Sequence, residues 1–584
     1  MHAERLSHTR SSKLDPRAGQ MSGAELERGV GGWPAASFFV LLVAYALLVA
    51  QLNFVADDAF INFRFARSLA QGYGFVFNPG VDGPVEGTSE LLWVFLLTPI
   101  QALGWEPTFW SRATSITCGV ALLWLVERTL RRDLALGPRA VFVGVLFIST
   151  MPVFAAWSTG GLSTMPFALL LFELYRRLLI LPAEKNRAAC VALLSCGLLL
   201  RAESMPWLFG LVALAWIVAR KDADSERLRL ARGCAICLCV GAVVLGGARL
   251  LYFGQLLPNT AFAKVALSQQ QWMRGVGYIA RFFIVFPATA IALSWIAFTL
   301  ARARWRDRSS PVLGALLCIS VSVAFCVAIG GDFMTMFRFA VPTLAFVGLL
   351  LAFCVERREA SGDSRGKIAA YFAGGLCLAN VLAAFGIEPL RREIFAHAPH
   401  MGRQDLQLGV LKWQRHDSQV WSDLGRVLEL VAPHGASLVA RGIGAVSYYS
   451  TLTIFDRHGM VSSEVAHSGA DRTTAAAGHD LYVPIAFFEP RRPTYAYAGL
   501  HTEEELEHPG PEIFKRIFGH PDDSKTQLQY RPVVFRAAWL PRAEHFLLLA
   551  ERIEPDSTVI PDWSGSLMEK GACRDLPEPA PRNK

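Results

Sequence analysis

Two adjacent carboxylates, Asp57 and Asp58, stand directly after the first long apolar run of the chain. One aspartate is a favoured residue at a helix start, where it stabilises free backbone N–H groups. Because one suffices for that role, the pair leaves a carboxylate available as a general base or as a cation ligand. We take Asp57 as the candidate catalytic base with Asp58 supporting it. A divalent cation held by this pair and Asp332 stays open, and no metal ligand is assigned.

The residues after this pair predict a helix with one polar edge. At about 100° per residue, Arg64 falls on the same side as Asp57, whereas Asp58 points about a quarter-turn away, towards Asn62. An apolar stripe adjoins the polar edge, so the helix is predicted to lie along a membrane surface. We expect Arg64 to keep the pKa of Asp57 low, so that this carboxylate is ionised at neutral pH.

The chain that carries these residues has the composition of a membrane protein. Of its 584 residues, 53% are hydrophobic and 18% are charged, and the mean hydropathy is +0.33. A soluble enzyme carries more charge, and the apolar runs reach the roughly 20 residues that one crossing needs. The net charge of +8 comes from Lys and Arg in short loops between these runs. That pattern reports membrane orientation, and no nucleic-acid partner is expected.

The basic loops predict how the chain threads the membrane. All of them face the cytoplasm only if 88–104 forms a juxtamembrane or re-entrant helix instead of a crossing. About eleven transmembrane helices then remain. The domains are predicted as a disordered cytoplasmic N-terminus (1–32), a transmembrane domain (33–387) and an α/β domain outside the cytoplasm (388–584). The predicted spans are 33–52, 109–127, 139–157, 164–181, 188–201, 205–219, 233–253, 278–300, 311–330, 339–356 and 368–387.

The last third of the chain alternates helical and strand-like patterns, which favours a small α/β domain. Only Cys573 of the eleven cysteines falls there, so no disulfide framework is expected in this domain. The cluster Cys234, Cys237 and Cys239 lies inside an apolar run without His or carboxylate beside it, which favours helix packing over metal binding. The predicted helix is 418–430, and the predicted strands are 436–440, 451–455, 480–488, 531–536 and 545–549.

Under this topology the outer loops collect charged residues on one side of the membrane. Charges at membrane depth are costly and tend to mark functional sites. Outer loops are also simply solvated, which explains any one of these residues but not a set that converges. The set is Asp57, Asp58, Arg64, Arg67, Glu86, Arg201, Glu203, Lys264, Asp332 and Arg338.

Several motifs follow one another in a specific order along almost the whole chain after residue 33. They are Asp57-Asp58-Ala-Phe-Ile-Asn-Phe-Arg64, Val85-Glu86-Gly87, Leu257-Pro258-Asn259-Thr260, Gly331-Asp332-Phe333, Phe337-Arg338-Phe339 and Gly444-Ala-Val-Ser-Tyr448-Tyr449. Together they resemble the GT-C superfamily of polyprenyl-phosphate-dependent glycosyltransferases, most closely the branch with the mycobacterial terminal arabinofuranosyltransferase. One departure is Gly161-Leu162-Ser163-Thr164, where the branch usually has Gly-Leu-Glu-Thr. A second is Arg201-Ala202-Glu203-Ser204, where it usually has Arg-Pro-Glu-Gly.

The resemblance implies a multi-span α-helical membrane protein of the bacterial inner membrane, with its C-terminal α/β domain in the periplasm. It implies an inverting transfer of a sugar from a polyprenyl-phosphate donor to a cell-envelope glycan or a lipid-linked acceptor. An aspartate of the first outer loop would be the base, and cations would bind the phosphate leaving group. The residues expected to bind donor or acceptor are Arg64, Glu86, Arg201, Glu203, Asn259, Lys264, Asp332 and Arg338.

Two other functions stay open. A transporter or flippase also places charges in a helix bundle, but it predicts inverted repeats and ionisable residues near the membrane midplane, which we do not find in the sequence. A non-catalytic envelope or motility factor on the same scaffold is the second alternative. It stays open because a fold does not guarantee an activity and because Ser163 replaces a carboxylate of the branch.

Overall fold

The structure is a computed structural model that describes residues 35–266, 268–302, 309–359, 365–385, 407–470, 472, 478–554 and 561–578. The predicted N-terminal segment and the domain boundary near residue 388 lie outside this range. The helices up to the boundary are α1 (Ala35–Leu52), α2 (Asp57–Ala70), α3 (Leu91–Ala102), α4 (Pro107–Arg128), α5 (Pro138–Ser149), α6 (Pro152–Trp157), α7 (Thr164–Leu179), α8 (Arg187–Leu200), α9 (Met205–Lys221), α10 (Ser225–Phe253), α11 (Asn259–Lys264), α12 (Gln269–Val285), α13 (Pro287–Arg302), α14 (Ser310–Ile329), α15 (Val341–Glu359) and α16 (Arg365–Phe385).

Five helical segments in the described part of the chain are long and apolar enough to cross a membrane, or up to seven if each of two bent pairs is one span. The predicted number of eleven is therefore not confirmed. Helix α3 has 12 residues, about 18 Å of rise, which is short of the roughly 30 Å hydrocarbon core. Helices α5 and α8 are also short apolar helices, so it stays a prediction that 88–104 does not cross. The five segments are Pro107–Asp133, Ala202–Lys221, Ser225–Phe253, Ser310–Ile329 and Arg338–Glu359.

Two predicted spans are each divided into two helices. The predicted span 278–300 consists of α12 and α13, which meet at 100°. The predicted span 139–157 consists of α5 and α6. In both cases the second helix begins at a proline, Pro287 or Pro152. Proline has no backbone N–H and clashes with the preceding turn, so it starts a new helix instead of continuing the old one.

The core of the helical part is apolar and closely packed. Helix α15 is buried along most of its length, and it crosses α5 where Gly144 and Gly348 face each other. A Cβ on Gly144 would lie 2.8 Å from the carbonyl oxygen of Gly348, and one on Gly348 would lie 2.6 Å from that of Gly144. Small residues at such a crossing let two helix backbones approach closely, as is common between helices in membranes.

The C-terminal part is built on one six-stranded mixed sheet with strand order β2-β1-β3-β5-β4-β6. Strand β1 pairs in parallel with β2 and β3, while β5 pairs antiparallel with β3 and β4. The strands are β1 (Ser437–Ala440), β2 (Thr453–Asp456), β3 (Tyr495–His501), β4 (Tyr530–Arg536), β5 (Phe546–Arg552) and β6 (Arg574–Asp575). The helices are α17 (Gln407–Val431), α18 (Gly444–Tyr449), α19 (Ser463–Ala466), α20 (Glu503–Glu507), α21 (Pro511–Phe518) and α22 (Leu567–Lys570).

Four of the five predicted strands are present, and helix 418–430 lies within α17. The prediction for 480–488 is wrong, because that segment leads into a short 3-10 helix at Ile485–Arg491. Pro484 and Pro490 flank and interrupt it, and proline cannot donate to a strand ladder. The next ladder strand is β3, which the sequence pattern did not reveal.

Candidate functional site

Asp57 and Asp58 begin α2, just after the chain bends by 89° from α1. The carboxylate of Asp57 is directed at the C-terminal domain. Its Oδ1 accepts a hydrogen bond from the Ala445 N–H at 2.8 Å, and its Oδ2 accepts one from the Gly444 N–H at 3.0 Å. Asp57 therefore caps the start of a helix with its side chain. The capped helix is α18, and not the helix that Asp57 begins.

Gly444 fits this contact because it has no side chain. A Cβ at this position would lie 2.0 Å from the carbonyl oxygen of Asp57 and 2.6 Å from its carboxyl carbon. Distances this short exclude any larger residue unless the two domains separate. The glycine of the Gly444–Tyr449 motif is thus explained by the close approach of α2 to α18.

Burial raises the pKa of Asp57 to about 6, against the lowering effect of the Ala445 and Gly444 N–H groups, and the charge of Asp58 raises it further. A pKa of about 6 still leaves most of this carboxyl ionised at neutral pH, as predicted, but Arg64 is not among the groups that set the pKa. Arg64 shares a helix face with Asp57, as the helical period predicts, but its guanidinium donates to backbone carbonyls. The acceptors include Phe77 at 2.7 Å and, in the C-terminal domain, Leu452 at 3.0 Å.

Asp58 lines a cavity of about 260 Å³. The cavity lies where α2 meets the loop before α3, the break between α8 and α9, helix α11 and the loop between α14 and α15. Apolar walls come from Ile61, Leu162, Phe325 and Phe339. The charged residues that line it are Asp58, Glu90, Arg201, Glu203, Lys264, Asp332 and Arg338. Six of these seven belong to the predicted set.

Lys264 and Asp58 form the most open ion pair of the cavity. The Lys264 Nζ lies 3.7 Å from the Asp58 Oδ2, and 27% and 19% of the two side chains are exposed. The distance is long for a hydrogen bond, so both groups keep capacity for a ligand. A base and a cation at this separation could act on the two sides of one reacting bond.

Arg338 and Asp332 form a second pair, more deeply buried. The Arg338 Nε lies 2.9 Å from the Asp332 Oδ2. Between them, Met336 and Phe337 have φ angles of 56° and 43°, a left-handed conformation that costs energy in residues with a side chain. The indole of Trp157 donates to the Met336 carbonyl at 2.9 Å and holds this turn in place. The strained turn aims the guanidinium into the cavity.

Arg201 is bound on all sides by protein groups. It pairs with Glu90 at 2.9 Å and with Glu203 at 2.9 Å. It also donates to the hydroxyls of Ser163 and Thr164, each at 3.2 Å. A guanidinium with so many partners organises the cavity wall and has less capacity for a new anion than Lys264.

Glu90 is the functional candidate that the sequence analysis missed. Its Oε2 accepts from Asn62 at 2.9 Å and from the backbone N–H of Ser163 at 3.2 Å, while its Oε1 binds Arg201. The position where the branch usually carries Glu is Ser163, and Glu90 places a carboxylate beside it. The available signal was an ionisable residue at the very start of an apolar run.

Three of the residues predicted to bind donor or acceptor do not line the cavity. Glu86 forms a two-point ion pair with Arg249, both contacts at 2.8 Å. Asn259 donates to the carbonyls of Gly459 at 2.7 Å and Met460 at 2.9 Å. Together with Arg64 these residues fasten the helical part internally and to the C-terminal domain.

The residues do not gather as a metal site. Asp57 faces α18, and Asp332, which lines the same cavity as Asp58, is paired with Arg338. Throughout the described ranges, no group of three His, Cys, Asp or Glu side chains could hold a metal ion. Of the cysteine cluster noted in the sequence, Cys237 has its sulfur 3.8 Å from the Ser195 hydroxyl, which is a packing contact between α10 and α8.

Three comparisons relate this architecture to known proteins. Residues 409–559 match a family described as a domain of unknown function, DUF8728. The chain is 25% identical over 266 residues to the terminal beta-(1->2)-arabinofuranosyltransferase of Mycobacterium tuberculosis, which is 42% of this chain and 41% of that protein. The chain thus spans about two-fifths of the length of this curated relative.

The crystal structure of ArnT from Cupriavidus metallidurans bound to undecaprenyl phosphate superimposes with a TM-score of 0.51 at 11% identity, covering 89% of this chain and 98% of ArnT. The apo form of ArnT gives a TM-score of 0.48 at 14% identity, covering 89% and 97%. The chain therefore shares the fold of ArnT over most of both chains. A multi-span helical fold of this kind is what the sequence motifs predicted.

Proposed function

We propose that this protein is a membrane glycosyltransferase that moves a sugar from a polyprenyl-phosphate donor to a cell-envelope glycan or lipid-linked acceptor on the periplasmic side. The observation that carries the proposal is the cavity in which the Asp58 carboxylate lies 3.7 Å from the Lys264 ammonium, with Arg338 on the same wall. Glycosyl transfer from a lipid phosphate needs a base for the acceptor and cations for the phosphate, and this cavity supplies both.

In the proposed reaction, Asp58 takes the proton of an acceptor hydroxyl. The acceptor oxygen attacks the anomeric carbon, the bond from that carbon to the phosphate oxygen breaks, and polyprenyl phosphate leaves with the bonding electrons. A direct displacement of this kind inverts the anomeric centre. We assign the base to Asp58 because Asp57, our first choice from the sequence, already accepts two backbone hydrogen bonds from α18.

The phosphate would bind to Lys264 and Arg338. Among the residues that the structure describes, Lys264 has one ion-pair partner, at 3.7 Å, and its side chain is partly exposed, so a phosphate can approach its ammonium. Arg338 has a planar guanidinium that matches phosphate oxygens in a two-point contact, which a lysine could not reproduce. Arg201 is the third cation predicted from the sequence, and its four protein partners favour a role in shaping the wall.

The lipid chain of the donor would follow an apolar groove that adjoins the cavity. A pocket of about 70 Å³ between α12, α13, α14 and α15 is lined by residues such as Phe282, Leu293 and Val323. Phe339, next to Arg338, lines both the pocket and the polar cavity. An isoprenoid gains by leaving water for such a surface, while its phosphate reaches the two cations.

Incubating the purified full chain in lipid nanodiscs with a panel of radiolabelled polyprenyl-phosphate sugars tests this function. We expect one sugar to be transferred to an envelope-glycan acceptor, and we expect Asp58→Asn to lower the rate of that transfer by about 10²–10⁴-fold while retaining the fold. Binding of undecaprenyl phosphate without transfer of any sugar would instead favour a non-catalytic role on the same scaffold.

A further inference from the structure

Asn62 is a buried residue of the cavity wall whose amide is only half used. It lies one helical turn after Asp58 on α2, lines the cavity and is 1% exposed. Its Nδ2 donates to the Glu90 Oε2 at 2.9 Å. Within the part of the chain that the structure describes, its Oδ1 has no hydrogen-bond partner.

The orientation of this amide follows from its neighbour. An ionised carboxylate only accepts hydrogen bonds, so the nitrogen of Asn62 and not its oxygen must face Glu90. Glu90 is itself held by Arg201 at 2.9 Å and by the Ser163 N–H at 3.2 Å. The Asn62 amide is therefore oriented by one hydrogen bond to a carboxylate that Arg201 and Ser163 hold in place. A buried acceptor without a partner is rare and costly.

Building on the proposed function, we infer that the Asn62 Oδ1 accepts a hydrogen bond from a sugar hydroxyl of the donor or the acceptor and so determines sugar specificity. The ligand group must be a donor, which a phosphate oxygen is not, whereas every sugar carries several hydroxyls. Residues four apart on a helix have Cβ atoms about 6 Å apart, so this hydroxyl would bind close to Asp58.

The inferred role of Asn62 predicts which substrate analogues the protein rejects. A site built to bind a hydroxyl rejects an analogue that lacks it, because the buried acceptor then stays unpaired. A role limited to holding Glu90 would instead weaken the binding of all sugars alike. The two roles therefore differ in whether the loss depends on one particular hydroxyl.

The experiment combines Asn62→Ala with substrates that lack single hydroxyls. The full chain would be given undecaprenyl-phosphate arabinofuranose, its monodeoxy analogues and monodeoxy methyl arabinofuranoside acceptors, and both equilibrium binding and transfer would be measured. We expect the wild type to bind one analogue roughly tenfold more weakly than the parent sugar, the size of one neutral hydrogen bond. The Asn62→Ala variant should bind that analogue no more weakly than the wild type does. Whether that analogue is a donor or an acceptor identifies the source of the hydroxyl.

Asn78→Ala is the matched control, since Asn78 is a buried asparagine outside the cavity with both amide atoms bonded, to Asp82, Ile454 and Arg64. It should leave the discrimination among analogues as in the wild type. Equal losses for every analogue in wild type and Asn62→Ala would overturn the inference. If the wild type transfers no sugar but prefers one hydroxyl pattern in binding, and Asn62→Ala removes that preference, the inference stands and the proposed function fails.

Discussion

Two buried polar regions lie on different faces of α2, and their polar side chains have different kinds of partners. On the face towards the C-terminal domain, Asp57 and Arg64 bind backbone N–H and carbonyl groups of that domain. On the face towards the cavity, Asp58 is paired with one flexible side chain, Lys264, at 3.7 Å. The first region is a contact between the helical part and the C-terminal domain, the domain contact. The second region keeps polar groups available for a ligand.

The comparison also explains why one motif contains two aspartates. Because Asp57 and Asp58 are adjacent in the sequence, they look like one site, although one has a structural role and the other is the proposed base. The helical period separates the two, because neighbours in a helix point about 100° apart. Helical phase placed Asp57 on one face with Arg64 and Asp58 on another face with Asn62. In the structure, Asp57 and Arg64 both contact the C-terminal domain, and Asp58 and Asn62 both line the cavity. Phase could not show which pair meets the cavity.

The largest expected effect separates these two aspartates. We expect Asp58→Asn to lower the rate of sugar transfer by about 10²–10⁴-fold, since a general base typically contributes that much. Asp57→Asn should lower the thermal stability more than Asp58→Asn does, because an amide can replace only one of its two accepted hydrogen bonds. Steady-state transfer rates and thermal unfolding of both variants in nanodiscs check this. Full activity of Asp58→Asn together with an inactive, folded Asp57→Asn would reverse the assignment.

The next effect concerns the wall of the cavity. Glu90→Gln keeps the size of the side chain but removes the charge that Arg201 binds at 2.9 Å. We expect transfer to fall by roughly tenfold to a hundredfold, because a hydrogen bond to a charged group contributes about 1.5–3 kcal/mol. Glu464→Gln, which alters an exposed ion pair with Arg491 in the C-terminal domain, is the control and should change little. Normal transfer by Glu90→Gln would show that the carboxylate is dispensable.

A smaller effect is expected at the domain contact between α2 and α18. Gly444→Ala adds a Cβ that would lie 2.0 Å from the Asp57 carbonyl oxygen, so α18 must move away from α2. Overpacking of this kind costs about 1–3 kcal/mol, and we expect the thermal midpoint to fall by several degrees. Gly510→Ala is the matched control, since nothing lies within 4 Å of its added Cβ. A midpoint for Gly444→Ala equal to that of the control would contradict the close contact.

The sequence predicted the class of fold and most of the cavity, but not its internal pairing. Arg338, Lys264 and Asp332 could be selected because charges beside apolar runs are costly and therefore informative. Glu86 satisfied the same criterion, yet its partner Arg249 lies far away in the chain. Which charge neutralises which is decided by tertiary packing. The broken helices at Pro152 and Pro287 were visible as prolines, but apolar composition alone suggested continuous spans.

The smallest effect is a pH dependence of the stability that Asp57 contributes at the domain contact. Burial raises the pKa of this carboxyl to about 6, above the value of about 3.9 for an exposed aspartate. An acid whose pKa is higher in the folded state binds its proton more tightly there. Its contribution to stability is therefore fully present below about pH 4 and is lost as the pH rises through about 6.

Asparagine does not titrate, so the variant Asp57→Asn lacks this dependence. We expect the thermal midpoint of the wild type, measured relative to that of Asp57→Asn, to fall as the pH is raised from about 4 to about 7. Asp82→Asn is a suitable control, because Asp82 is a partly exposed aspartate near the same domain contact and pairs with Arg491 at 3.2 Å. A difference between wild type and Asp57→Asn that stays constant across this range would mean that the Asp57 carboxylate is solvated, and that α18 does not pack over it.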